Sequence, residues 1–341
     1  MKNKKIKISA NLINENRSYL FLALILIIGL FVDNFYTMYN ISAATGNGSL
    51  VIWLGLGFTV CMIAGHMDLT IMYMSTFAAL LCLGLHGDQG LPWAVCILIA
   101  TLAGVLVGCI NGFLVTKLKI HSFIATLGMQ FVLKGSMYIY TGGEELSIGK
   151  DYAFSDVLND TPVGFLPFST YFLITTLVVF IVMIVLRYTR FGRNVYMIGG
   201  NLETAWLAGI KSDGVTTMAF VISSAACALG GALNGIYSGT AGITMGEKGI
   251  SPLMIALTAT IIGGTAINGG KGSVIWTWVS LVAIALLKAI FKKTEIQVLV
   301  IAAILIGCIV YETIALYNRN KTVGTRPNLH KEALKELGKS H

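Results

Sequence analysis

Charge is scarce in this sequence. Asp, Glu, Lys and Arg make up 12% of its 341 residues, about half the share typical of a soluble domain. That shortage excludes a water-soluble globule of this length, whose surface needs more charge. Intrinsic disorder is excluded too, because apolar side chains reach 55% and such a chain collapses. Proline occurs only five times, which suits a mostly helical chain. The six cysteines, Cys61, Cys82, Cys96, Cys109, Cys227 and Cys308, all fall inside apolar runs. None forms a C-x-x-C pair, so neither a disulfide scaffold nor a cysteine metal site is indicated. They read as small apolar packing residues.

What is abundant is long apolar sequence, with a mean hydropathy of +0.78. A membrane helix takes roughly 20 apolar residues. Ten runs bounded by charge, Gly or Pro qualify as helices: 19–36, 50–65, 69–85, 92–116, 122–140, 168–186, 214–236, 252–267, 273–290 and 296–317. The expected fold is an all-α polytopic membrane protein, some of its helices broken. One transmembrane domain, 19–317, lies between a basic N-terminus, 1–18, and a basic tail, 318–341. The run from Tyr19 to Val32 reads as an uncleaved first span rather than a signal peptide cleaved near Ser42–Ala44.

The net charge of +8 does not point to nucleic acid, because the charges sit at the ends and in loops, where they orient spans. Lys2, Lys4, Lys5, Lys7 and Arg17 place the start in the cytoplasm of a bacterial-type plasma membrane. Arg319, Lys321, Arg326, Lys331, Lys335 and Lys339 place the tail there as well. Lys117, Lys119 and the segment 187–211 fall inside. The loop 142–168, with Glu144, Glu145, Asp151, Asp156 and Asp160 against Lys150, falls outside. Lys292 and Lys293 are the misfit, since ten spans put them outside.

Four segments stand out. In the first, Ala64-Gly65-His66-Met67-Asp68-Leu69, charge at membrane depth needs water, dipoles or a substrate. It reads either as a helix break lining a path or as a tight hairpin with Asp68 capping the next helix. In the second, Gly104, Gly108 and Gly112 make a smooth helix face for another backbone, and Asn111 needs a polar partner. The third, 189–210, reads as a basic turn at Arg190 and Arg193, a Gly199-Gly200-Asn201 break, and a short helix from about Leu202 to Ala208 ending at Gly209. Its length reads as a docking element or as an interfacial helix without a partner. The fourth, 262–273, is glycine-rich and carries Lys271, but it does not fit the phosphate-loop pattern. ATP binding is therefore not expected of this chain. Residues 63–70 and 261–268 echo each other as one glycine break per half, a pattern that points to a transporter's central site.

On these segments the sequence resembles the permease subunit of ribose-type monosaccharide ATP-binding-cassette importers. The family pattern T-G-G-I-D-L-S is met at Ala64 to Thr70. The pattern N-G-x-x-V followed by P-x-F-I-x-T-L-G is met from Asn111 to Gly128, and T-G-G at Thr141 to Gly143. The pattern T-x-x-G-R-x-x-Y-A-I-G-G-N is met from Thr189, and G-G-T-x-x-x-G-G-x-G-S from Gly263 to Ser273. The resemblance implies a cytoplasmic ATPase that uses the ATP, a second permease subunit (identical or a paralogue) and an extracytoplasmic solute-binding protein. It implies no cofactor, metal or catalytic residue in this chain. By the same carry-over Arg190, Gly192, Arg193, Asn201, Glu203, Ala205 and Gly209 couple to the ATPase. Gly65, His66, Asp68, Asn111, Gly264, Thr265, Asn268 and Ser273 line the solute path. His66, Met67, His121, Trp276 and Trp278 depart from the family pattern, which touches the lining more than the coupling loop. Two other classes remain on the residues alone. An ion-coupled secondary transporter would use Asp68, His66, Lys134 and Glu312, and a membrane-embedded enzyme would need a constellation that His66 and Asp68 do not supply.

Overall fold

The computed structural model describes residues 16–149, 152–243, 251–291 and 293–324. The terminal charges Lys2, Lys4, Lys5, Lys7, Arg326, Lys331, Lys335 and Lys339 lie outside these residues, as do Lys150, Asp151 and Lys292. The chain divides into two units at Ile301.

Each of the ten expected spans is occupied by a helix. These are α1 (Arg17–Gly29), α2 (Met38–Ile63), α3 (Ile71–Gln89), α4 (Trp93–Thr116), α5 (Ser122–Thr141), α7 (Thr170–Tyr188), α10 (Ser212–Ser238), α11 (Pro252–Ile262), α12 (Val274–Ile290) and α13 (Thr294–Gly324). Between them lie α6 (Ala153–Asn159), α8 (Arg190–Gly200) and α9 (Leu202–Leu207). The described sheet is one antiparallel pair, β1 (Leu146–Ser147) on β2 (Thr240–Ala241), with Leu146 opposite Ala241. Helices α2, α3, α4, α7 and α10 are long and apolar enough to cross a membrane by themselves, and α1, α11, α12 and the start of α13 are shorter apolar helices. The result is an all-helical, multi-pass membrane protein.

Three local expectations change. The first span ends at Gly29 instead of 36, and α2 begins at Met38 instead of 50. Thr37 starts α2 by accepting the Asn40 amide at 3.3 Å. Residues 38–49 look like a loop because they are small and polar. They are helical because small residues let neighbours approach: a Cβ on Gly46 would strike the Tyr237 hydroxyl, and one on Gly48 would lie 2.5 Å from the Ala285 Cβ. The basic turn at Arg190 and Arg193 is instead the first turn of α8, capped by Thr189, whose hydroxyl accepts the Gly192 amide at 3.3 Å. Glycine and asparagine lower its helix propensity, but α8 lays Gly192 directly on the Leu186 backbone. The run 252–267 stops being helical at Ile262, before its glycines.

Helix α10 is central, packing most extensively on α4, then on α3 and α2. The α4 glycines make the first of these contacts possible. A Cβ on Gly108 would lie 2.6 Å from the Val221 Cα, and one on Gly112 2.7 Å from the Thr217 Cα. This is the close backbone approach that small residues at four-residue spacing allow.

Candidate functional site

Two assemblies hold the residues singled out in the sequence. The first is a buried polar network around Asp68, in the connection between α2 and α3. Asp68 is 0% exposed. Its Oδ1 accepts the Thr70 amide at 3.0 Å and also the Thr70 hydroxyl. Its Oδ2 accepts the Ser223 hydroxyl of α10 at 2.8 Å. Asn111 of α4 donates through Nδ2 to the Thr70 Oγ1 at 3.3 Å. An isolated buried carboxylate costs several kcal/mol; here three donors offset that cost and join the connection to α10, with α4 attached through Thr70. Asp68 thus holds the amide of Thr70, the residue that precedes α3, without capping the first turn of that helix. The Oδ1 of Asn111 is buried and has no hydrogen-bond partner among the described residues.

The same connection is strapped to α5. The Met67 amide donates to the Ser122 hydroxyl at 3.3 Å, and the Thr126 hydroxyl reaches the Met67 carbonyl at 3.4 Å. His66 is half-buried, its ring 5.8 Å from that of Phe220. Burial, and then the neighbouring His121, push the His66 imidazole below its ordinary pKa.

The second assembly is a junction of glycines. The Gly270 amide donates to the Ile63 carbonyl, the last carbonyl of α2, at 2.9 Å. Gly199, near the end of α8, enters the same space. A Cβ there would strike the Ile63 carbonyl oxygen and lie 2.6 Å from the Gly270 nitrogen. Gly269, at φ +82°, leaves room for a Cβ only 2.7 Å from the Gly65 Cα. The Tyr196 hydroxyl of α8 donates to the Gly272 carbonyl at 2.9 Å. Both glycine breaks thus meet at the tip of one amphipathic helix. Each break was visible in the sequence; their meeting and the clamp on them were not. Its only signal was Gly199-Gly200, which reads equally well as a turn.

The proposed path residues divide between these assemblies. Gly65 and Asn268 belong to the junction, while Asp68 and Asn111 belong to the network. Gly264 and Thr265 follow α11, where Thr265 is fully buried with its hydroxyl unpartnered among the described residues. Ser273 caps α12, accepting the Trp276 amide at 3.5 Å.

The proposed coupling residues lie together on α8 and α9. Asn201 caps α9 by accepting the Thr204 amide at 2.9 Å. Ala205 is fully buried and anchors the short helix. The Ile210 amide closes on the Ala205 carbonyl at 3.1 Å as Gly209 turns at φ +77°, a glycine helix stop. Gly192 is buried under α7, whereas Arg190, Arg193 and Glu203 are exposed. Sequence reasoning missed Trp206 and Leu207, which are 69% and 73% exposed. They form an exposed apolar pair on a six-residue helix. Nearby, Asp213 at the start of α10 bridges Lys117 at 3.0 Å and Lys119 at 3.4 Å, tying down the loop between α4 and α5.

Comparison with known proteins adds the family. The model of the branched-chain amino acid transport system / permease component family matches residues 40–309. Similar curated proteins include the autoinducer 2 import system permease protein LsrC of Yersinia pestis (strain Pestoides F), 27% identical over 258 residues, covering 74% of this chain and 70% of that one. The LsrC protein of Yersinia enterocolitica serotype O:8 / biotype 1B is 27% identical over 74% of this chain and 68% of its own. That of Yersinia pseudotuberculosis serotype O:3 (strain YPIII) is 26% identical, with coverage of 74% and 70%. No solved structure gives a significant match.

Proposed function

The chain belongs to the branched-chain amino acid transport system / permease component family, and on that premise we propose that it forms the translocation path for a monosaccharide or a related small polyol-like solute. It is the membrane-spanning permease subunit of an ATP-binding-cassette importer, a system that also has an ATPase and a solute-binding protein. A second permease subunit, identical or paralogous, completes the pore. Both termini face the cytoplasm, as does the end of the molecule carrying α8 and α9. ATP hydrolysis belongs to the partner, and this chain performs no covalent chemistry.

The observation that carries this reading is the glycine junction. Helix α9 presents Trp206 and Leu207 outward. It follows α8 after Asn201 alone, and the tip of α8 is wedged between the breaks at Gly65 and Gly269. A push on α9 from the ATPase is delivered to both breaks at once. Binding of a neutral, hydroxyl-rich solute suits amide and hydroxyl partners such as Asn111, Thr265 and Asn268 better than it suits a charge. The relatives named for autoinducer 2 import favour a small solute of this kind. The ion-coupled alternative has weaker support, because Asp68 is fixed by three donors and the Lys134 ammonium lies over the Tyr73 ring at 5.6 Å. The side chain of Glu312 lies outside the described residues.

The test is copurification. The ATPase comes down with this chain, and Trp206→Ala together with Leu207→Ala abolishes the association. An ATPase that binds equally well to the doubly substituted chain contradicts the coupling surface.

A further inference from the structure

A groove of about 800 Å³ runs between α1, α7, α8 and α12. Its floor is apolar, built from Phe180 and Met183 of α7 and Trp276 of α12, with Tyr19 of α1 along one side. Arg187, at the end of α7, and Arg193 of α8 stand at its head. At the α-helical rise, Phe180 and Arg187 are about 10 Å apart along α7, so the floor and the arginine are spaced along that helix. Much of α7 is open, with Leu177, Ile181 and Ile184 exposed.

Both guanidinium groups are exposed. Neither has a carboxylate within ion-pair distance among the described residues, where the ion pairs are those of Asp213 with Lys117 and Lys119. Arg187 lies instead over the Tyr188 ring at 5.6 Å. The groove's polar Tyr196 hydroxyl is already spent on the Gly272 carbonyl. An occupant must therefore supply an anion at one end and a hydrocarbon chain at the other. A free anion leaves the apolar floor bare, and a sugar finds beside that floor little more than the Ser273 hydroxyl, which caps α12. Two arginines lining an apolar groove between membrane helices match a lipid phosphate.

We propose that this groove binds one anionic phospholipid, with its acyl part on Phe180, Met183 and Trp276 and its phosphate between Arg187 and Arg193. The lipid sits across the joint at Thr189, the single residue linking α7 to α8, and so braces the helix that clamps the glycine breaks. The inference rests on the chain spanning the bilayer, not on which solute crosses it.

Native mass spectrometry of the purified full-length chain tests it, by titration with phosphatidylglycerol and with phosphatidylethanolamine of the same acyl chains. The first phosphatidylglycerol is expected to bind about tenfold or more tighter than phosphatidylethanolamine. Arg187→Gln with Arg193→Gln removes that preference, and Arg→Lys at both positions retains part of it. Met183→Trp, which fills the floor without changing charge, weakens both lipids. Circular dichroism reports whether each variant is folded. If the glutamine pair does not fold, the lysine pair and Met183→Trp carry the test. Equal affinity for the two lipids overturns the proposal, as does displacement of bound lipid by excess glycerol phosphate, which marks a free-anion site. So does exclusion of lipid by a second copy of the chain. Arg187 is not among the coupling residues, so Arg187→Gln alone separates loss of lipid from loss of the ATPase.

Discussion

The Gly270 amide donates to the Ile63 carbonyl at 2.9 Å. One hydrogen bond thus closes the break after α11 onto the end of α2, across more than two hundred residues of sequence. Gly199 lies against both partners of this bond. Any side chain at Gly199 must separate them. Gly199→Ala is expected to destabilise the protein by about 1–3 kcal/mol, as overpacking does, and to impair transport. Gly200→Ala, whose added Cβ meets only the Gly270 Cα at 3.9 Å, is expected to be nearly silent. Thermal unfolding in detergent and solute uptake compare the pair, and equal effects of the two substitutions would contradict the clamp.

The Asp68 network makes a separate prediction. Ser223→Ala removes one donor from a buried carboxylate that accepts three, and is expected to cost about 1–3 kcal/mol. Asp68→Ala strands the Thr70 amide and the hydroxyls of Thr70 and Ser223 together, so its cost should exceed that of Ser223→Ala. The two substitutions share a hydrogen bond, so the double variant should cost less than their sum. Denaturation of the single and double variants measures this, and strict additivity would contradict the network.

The cap of α9 is testable through the partner. Asn201→Ala removes the acceptor for the Thr204 amide and should cost about 1 kcal/mol of local helix stability. Association with the ATPase is expected to weaken several-fold, with Asn201→Asp restoring most of it. A binding assay in which alanine and aspartate behave alike would show that the cap does not set the docking surface.

Much of this architecture was legible because long apolar runs have one outcome in a bilayer. The segments 92–116 and 122–140 became α4 and α5 almost to the residue. The short helix expected near 202–208 formed at Leu202–Leu207, since Asn201 and Gly209 are local start and stop signals. What escaped was helix made from unpromising residues. Residues 38–49 and 190–200 owe their helicity to tertiary contacts at Gly46, Gly48 and Gly192, and no local pattern records those contacts. The meeting of Gly65, Gly199 and Gly269 is likewise tertiary. Each glycine pair was visible as a break, but nothing along the chain says which breaks touch. The ring of partners around Asp68 was half legible, since its bond to the Thr70 amide is local and Ser223 is far away in sequence.

The central claim is that this chain passes a small hydroxylated solute under the drive of a partner ATPase. Uptake by proteoliposomes holding this permease, its ATPase and its solute-binding protein tests that most directly, with radiolabelled ribose as the first probe and other monosaccharides after it. Accumulation is expected to require ATP and the binding protein and to be unchanged by an ionophore. Accumulation that proceeds without the ATPase and collapses with the ionophore would contradict it.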